Sequence, residues 1–172
     1  MIRKNKRGYL ELSFGMIFSI ILIIAFLAVA GYAIVKFLDL GKTVKTNQFV
    51  NNLQIYVDEL WQGSQGSVGK ELNAPEGVTF VCFFDSSDRA KPSSNGRMYQ
   101  EIIGFAQENE NMVFYPLGSS NDKDYYEIKH VNITKTTEIK NPYCFENVNG
   151  KVSIILEKKF ENNRLENLVT LR

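Results

Sequence analysis

The stretch KRGYLELSFGMIFSIILIIAFLAVAGYAIVK, Lys6 to Lys36, contains 24 consecutive uncharged residues, Leu12 to Val35. As an α-helix rising about 1.5 Å per residue these would reach about 36 Å, against about 30 Å of bilayer hydrocarbon. Most are Ile, Leu, Phe, Val or Ala, so nearly every face is apolar, whereas a surface helix of a soluble protein keeps a polar side. The competing reading is a helix buried in a soluble core. Only about 110 of the 172 residues follow the helical region, too few to wrap it on all sides.

The flanks set an orientation. Arg3, Lys4, Lys6 and Arg7 crowd the N-terminal side, while Lys36 stands almost alone beyond the apolar run. By the positive-inside bias the N-terminus stays in the cytoplasm and everything after Lys36 lies outside. A secretory signal peptide also starts with basic residues, but its apolar region is only about 7 to 15 residues. This run is longer.

The helical pattern continues. Phe37, Leu40, Val44, Val50, Leu53, Val57 and Leu60 recur mostly at steps of three and four, with Lys42, Lys45, Asn51, Asp58 and Glu59 between them. No proline interrupts residues 9–62, and Gly41 costs only about 1 kcal/mol. The spacing therefore predicts one helix of about 80 Å, a transmembrane part over 9–36 and an amphipathic part over 37–62. Residues 62–70, QGSQGSVGK, are rich in glycine and serine and read as a loop. Gly69-Lys70 does not open a phosphate-binding loop, because Ser64 stands where the first glycine is needed and Glu71 where a Ser or Thr is needed.

Lys6-Arg7-Gly8, followed by Glu11 and an unbroken apolar helix, resembles the class III signal peptides of type IV pilins and archaeal pilin-like proteins. The resemblance covers about the first 60 residues. It implies a prepilin peptidase cut after Gly8, Tyr9 as the mature N-terminus, residues 1–8 as the leader, and a helix that docks with other subunits. The family's glutamate stands fifth in the mature chain; here Glu11 would be third and Ser13 fifth. If the cut occurs, Glu11 can meet the freed amine of Tyr9 on a neighbouring subunit; without it, Glu11 is an interfacial charge. Gly15 and Ser19, four apart, offer a small-residue face for close helix contact.

Residues 63–172 read as a β-rich head outside the membrane. Val78 to Phe84 is a β-branched and aromatic run bounded by turn residues, Met112 to Leu117 a second strand, and Tyr125 to Ile133 alternates with period two as a half-buried strand should. Met98 to Gln107 reads as a short helix. Residues 142–146 and 152–157 flank Asn149-Gly150, a strong hairpin signal because both turn residues need positive φ. A last strand near 168–171 completes a meander. Short connections exclude parallel pairing, so the expected fold is α+β: a long N-terminal helix packed on an antiparallel sheet of about four to six strands.

Composition agrees with a folded head. Of the net charge of +1, four positive charges precede Glu11, so the remainder carries about −3 and has no basic patch for nucleic acid. Twelve Phe and eight Tyr, most of them after residue 48, supply core volume. Cys82 and Cys144 both fall in the outer portion, where an oxidising compartment favours a disulfide; the alternative is two buried free thiols in adjoining strands.

Chemical signatures are sparse. Residues 121–127 present alternate oxygen ligands but lack the glycine and distal glutamate of an EF-hand, and Lys123 sits among them, so they read as a solvated turn. Asp85 and Asp88 bracket two serines in a turn-rich segment. His130 is the sole histidine, so zinc would require both cysteines and a carboxylate. Neither a catalytic nor a metal set emerges, and no cofactor is implied. Asn132-Ile133-Thr134 matches the N-glycosylation acceptor pattern, a tripeptide that also arises by chance in an asparagine-rich chain. The expected function is a pilin-like structural subunit of a surface filament, with membrane lipid and further subunits as partners. The alternative is a single-pass anchored outer domain that binds a partner and does not polymerise.

Overall fold

A computed structural model describes residues 14–120, 123–161, 164–165 and 168–172. Gly8, Tyr9 and Glu11 lie outside the described residues, as do Asn121 and Asp122 of the acidic turn. The chain divides into two units, Met1–Asp39 and Leu40–Arg172. The first helix, α1, runs Phe14–Gln62. Its residues from Leu40 onward belong to the second unit, and Phe49, Leu53 and Val57 among them enter that unit's core.

The second unit is an α+β head built on a seven-stranded sheet. Its elements are β1 (Gly66–Asn73), β2 (Phe80–Phe83), α2 (Gly96–Ile103), β3 (Met112–Tyr115), β4 (Tyr125–Tyr126), α3 (Ile133–Thr136), β5 (Tyr143–Val148) and β6 (Lys151–Lys158). A small ribbon, β7 (Phe160–Glu161) with β8 (Arg164–Leu165), precedes β9 (Thr170–Leu171). The sheet order is β1-β6-β5-β2-β3-β4, with β9 also on β6. Every pair of named strands is antiparallel.

One sheet face receives the distal part of α1. Phe49, Leu53 and Val57, four residues apart and so on one helical stripe, pack among Val81, Phe83, Phe114, Phe145, Ile154 and Leu156. Phe49 meets Phe114 edge-on at 5.4 Å. Burying each such side chain is worth about 2 kcal/mol. The opposite face carries a smaller cluster, Cys82, Phe84, Val113 and Tyr125, closed by Ile102 of α2. Alternation along β2 thus feeds two cores, because successive side chains point to opposite faces.

The hairpin forms as its turn chemistry requires. Val148 pairs with Lys151, leaving Asn149 and Gly150 as a two-residue turn at φ 54° and 82°. Elsewhere tertiary context alters the local reading. The segment read as a loop contains β1: only 63–65 connect it to α1, and Gly66–Asn73 pairs residue for residue with Lys158–Lys151. An eight-residue partner with Leu72 buried in the core outweighs two glycines. The Tyr125–Ile133 strand is also corrected. Pairing ends after Tyr126 because the side chain of Asn111 takes the place of a neighbouring strand, accepting from Ile128 N at 2.8 Å and donating to Ile128 O at 2.9 Å. His130 then turns to φ 64°, and Asn132 starts α3, which the period-two pattern concealed.

The remaining differences are smaller. The β2 strand spans four residues of the seven anticipated, and α2 starts two residues early, on the Asn95 cap, and stops at Gly104. β9 joins β6 as expected, but the sheet is not a meander, since β1 adds beside β6 and β2 beside β5.

Candidate functional site

In the first unit, α1 carries apolar side chains on all sides. Phe14, Phe18, Ile21, Phe26, Leu27 and Ile34 are all exposed, and an apolar 18-residue window within this helix, near the N-terminus, has no residue buried. This helix is long and apolar enough to cross a membrane. Hydrocarbon requires internal satisfaction of polar groups, and the Ser19 hydroxyl meets that condition by donating to Gly15 O at 2.8 Å. The small-residue pair therefore leaves no hydroxyl proton unpaired. Lys36 Nζ lies 5.8 Å from the Tyr32 ring centroid, an aromatic and a cation together as at a bilayer interface.

In the head, Cys82 and Cys144 form a disulfide with an S–S distance of 2.01 Å. They face each other directly across β2 and β5, with Cα atoms 4.0 Å apart, at a position flanked by hydrogen-bonded pairs, where antiparallel strands bring Cα atoms closest. The expected bridge is present, and it joins adjoining strands, so the alternative of two free thiols does not hold. Met98 Sδ of α2 packs 3.7 Å from Cys144 Sγ. Both sulfurs are consumed, so neither is a zinc ligand nor a nucleophile for His130 to activate.

His130 meets the distal part of α1. Its Nδ1 is 2.8 Å from Asp58 Oδ1, and its ring stacks on Trp61 at 3.7 Å between centroids and 2° between planes. One turn earlier, Gln54 accepts from Lys129 N at 2.8 Å and donates to Asp58 Oδ1 at 2.8 Å. These groups clamp the 128–131 loop to the helix. More than 70 residues separate the partners, so no local pattern announces them; the sole tryptophan and sole histidine were the only available hint.

Beside the clamp runs an open groove of about 630 Å³, lined by Asp85, Glu108, Glu110, Glu127, Lys129 and His130 among others. Two of its carboxylates, Asp85 and Glu110, already have partners. Asp85 accepts from Ser87 N at 2.9 Å and from Thr134 Oγ1 at 3.2 Å; Glu110 accepts from Gln107 N at 2.9 Å and from Lys123 at 3.0 Å. Asp88 pairs with Lys91, whose hydrogen bond holds its carboxyl below the usual range. Asp85 and Asp88 thus act as turn caps. In the acidic turn, Asp124 accepts from Ser120 N at 3.2 Å and Ser120 Oγ at 2.7 Å. Among the described residues no group of three His, Cys, Asp or Glu is placed to hold a metal ion.

Deeper in the head, burial, with the Asp124 and Glu110 carboxylates nearby, pushes the Tyr125 phenol up to about 12. Its hydroxyl donates to Ile102 O at 2.9 Å, which fits a neutral phenol. Asn132 caps α3: Oδ1 accepts from Lys135 N at 3.1 Å, and its own N–H donates to Val169 O at 2.8 Å.

No protein-family model matches this sequence, and no curated protein or solved structure matches it either. The functional reading rests on the residues themselves.

Proposed function

We propose that the chain is a membrane-anchored, pilin-like structural subunit, its N-terminus cytoplasmic and its head outside the cell. The observation that carries this reading is the apolar stretch of α1, which buries nothing in its own chain and so needs lipid or other copies of the same helix around it. Further support comes from the basic leader that ends at Gly8 and from the head's disulfide, a bond that persists in oxidising compartments. In this role the head works by display and contact. Lipid holds the helix before assembly, a prepilin peptidase removes residues 1–8, and helices of further subunits take the place of lipid.

A second reading is a single-pass anchor whose head binds a ligand without polymerising. The groove beside His130 favours it, because Asn109 and His130, two non-glycine residues at positive φ, both line that groove, and such backbone conformations gather at binding sites. Electron microscopy of material sheared from cells, together with membrane fractionation, separates the two. Filaments that contain this chain support the first reading. Retention of all of it in the membrane, without filaments, supports the second.

A further inference from the structure

We propose that Asn132 carries an N-linked saccharide. The proposal rests on the reading that the head lies outside the membrane, and its local argument comes from the geometry of the Asn132-Ile133-Thr134 acceptor tripeptide.

The Asn132 amide has one end committed and one end available. Oδ1 accepts from Lys135 N at 3.1 Å as the cap of α3, which fixes which atom is oxygen. Among the described residues Nδ2 has no hydrogen-bond partner. Nδ2 is the atom that a saccharide would occupy, and an N-glycosylated amide keeps its carbonyl. The modification therefore leaves the cap intact. Asn132 is half-buried and lines a shallow depression of about 290 Å³ with Thr134, Lys135 and Glu138. Hydroxyl, ammonium and carboxylate groups at that rim suit the hydroxyls of a sugar ring.

The transfer balances with a lipid-linked saccharide phosphate as donor. Nδ2 attacks the sugar C1 and gives up one proton to a base of the transferase. The C1–O bond to phosphate breaks as the C1–N bond forms, and the lipid phosphate leaves with the electron pair. In the folded head the Thr134 hydroxyl donates to Asp85 Oδ2 at 3.2 Å, so the tripeptide is not an extended free segment. The transfer must then precede closure of that contact, as the chain emerges across the membrane.

The test is the intact mass of the full chain isolated from the cells that make it, for the unaltered protein and three variants. Asn132→Asp keeps a good helix cap and removes the acceptor nitrogen; Thr134→Ala breaks the tripeptide; Thr134→Ser preserves both the tripeptide and a hydroxyl for Asp85. The expected result is added mass that maps to the Asn132 peptide, present in the unaltered chain and in Thr134→Ser, and lost in the other two. An unaltered chain with the bare polypeptide mass at that peptide overturns the proposal. Labelling intact cells with a membrane-impermeant amine reagent tells why. Bare mass with a labelled head defeats the saccharide alone, whereas bare mass with an unlabelled head defeats the outside placement as well.

Discussion

Lys158 Nζ of β6 lies 2.8 Å from the carbonyl oxygen of Gly63 and also donates to that of Trp61. A cation that is only 5% exposed thus closes the C-terminal end of α1, where unpaired carbonyls and the negative end of the helix dipole gather. This is how the distal helix and β6 become one body within the head.

Lys158→Met should therefore destabilise the head by about 2 kcal/mol, since two carbonyls lose a charged donor in a partly buried setting. Lys158→Arg, which keeps the charge, should lose less. Urea unfolding of the full chain in detergent reads the difference, and a Met variant as stable as the parent would refute the capping role.

Replacing Cys82 and Cys144 with alanine should cost about 4 kcal/mol in the chain-entropy model for a bridge across a sequence separation of 62. The first check is the bond itself. Alkylation before reduction should leave both cysteines unmodified, and alkylation after reduction should modify both.

The clamp on the 128–131 loop predicts a coupling that neither single change reveals. His130→Ala and Asp58→Ala should interact by about 0.5 to 1 kcal/mol in a double-mutant cycle, modest because both side chains are about one third exposed. Trp61 is the sole tryptophan, so its fluorescence reports the loss of the stacked imidazole in His130→Ala. Unchanged emission would mean that the rings do not stack.

Tyr125 should make the head sensitive to alkali. Its phenol stays neutral in the fold up to about 12, whereas in an unfolded chain it ionises near 10. The stability it contributes is complete below about 10 and is lost as pH rises from there to about 12. Tyr125→Phe should flatten that part of the stability profile. Phenolate absorbance provides the direct check, because one tyrosine fewer should ionise late.

How far the sequence was legible follows from where the information lies. The hairpin at Asn149-Gly150, the buried run around Val81 and the stripe Phe49, Leu53, Val57 are local or periodic signals, and each element stands where its pattern puts it. β1 was illegible because Ser67, Gly69 and Lys70 have weak strand preference and draw their order from β6, more than 80 residues away. The strand read through His130 failed for the opposite reason. Its alternation is genuine, but Asn111 supplies the hydrogen bonds to Ile128 that a neighbouring strand would have supplied. At the candidate sites, pairing of Cys82 with Cys144 was foreseeable from the count of two and from the compartment that the N-terminal charges lead one to expect. The His130, Asp58 and Trp61 cluster depends on the helix passing one loop, a relationship that no short window contains.

The most direct test of the pilin-like reading is the mature N-terminus. Mass spectrometry of the chain from its native membrane should find Tyr9 as the first residue, with residues 1–8 removed by a cut after Gly8. A chain that begins at Met1 or Ile2 and keeps its leader would contradict it.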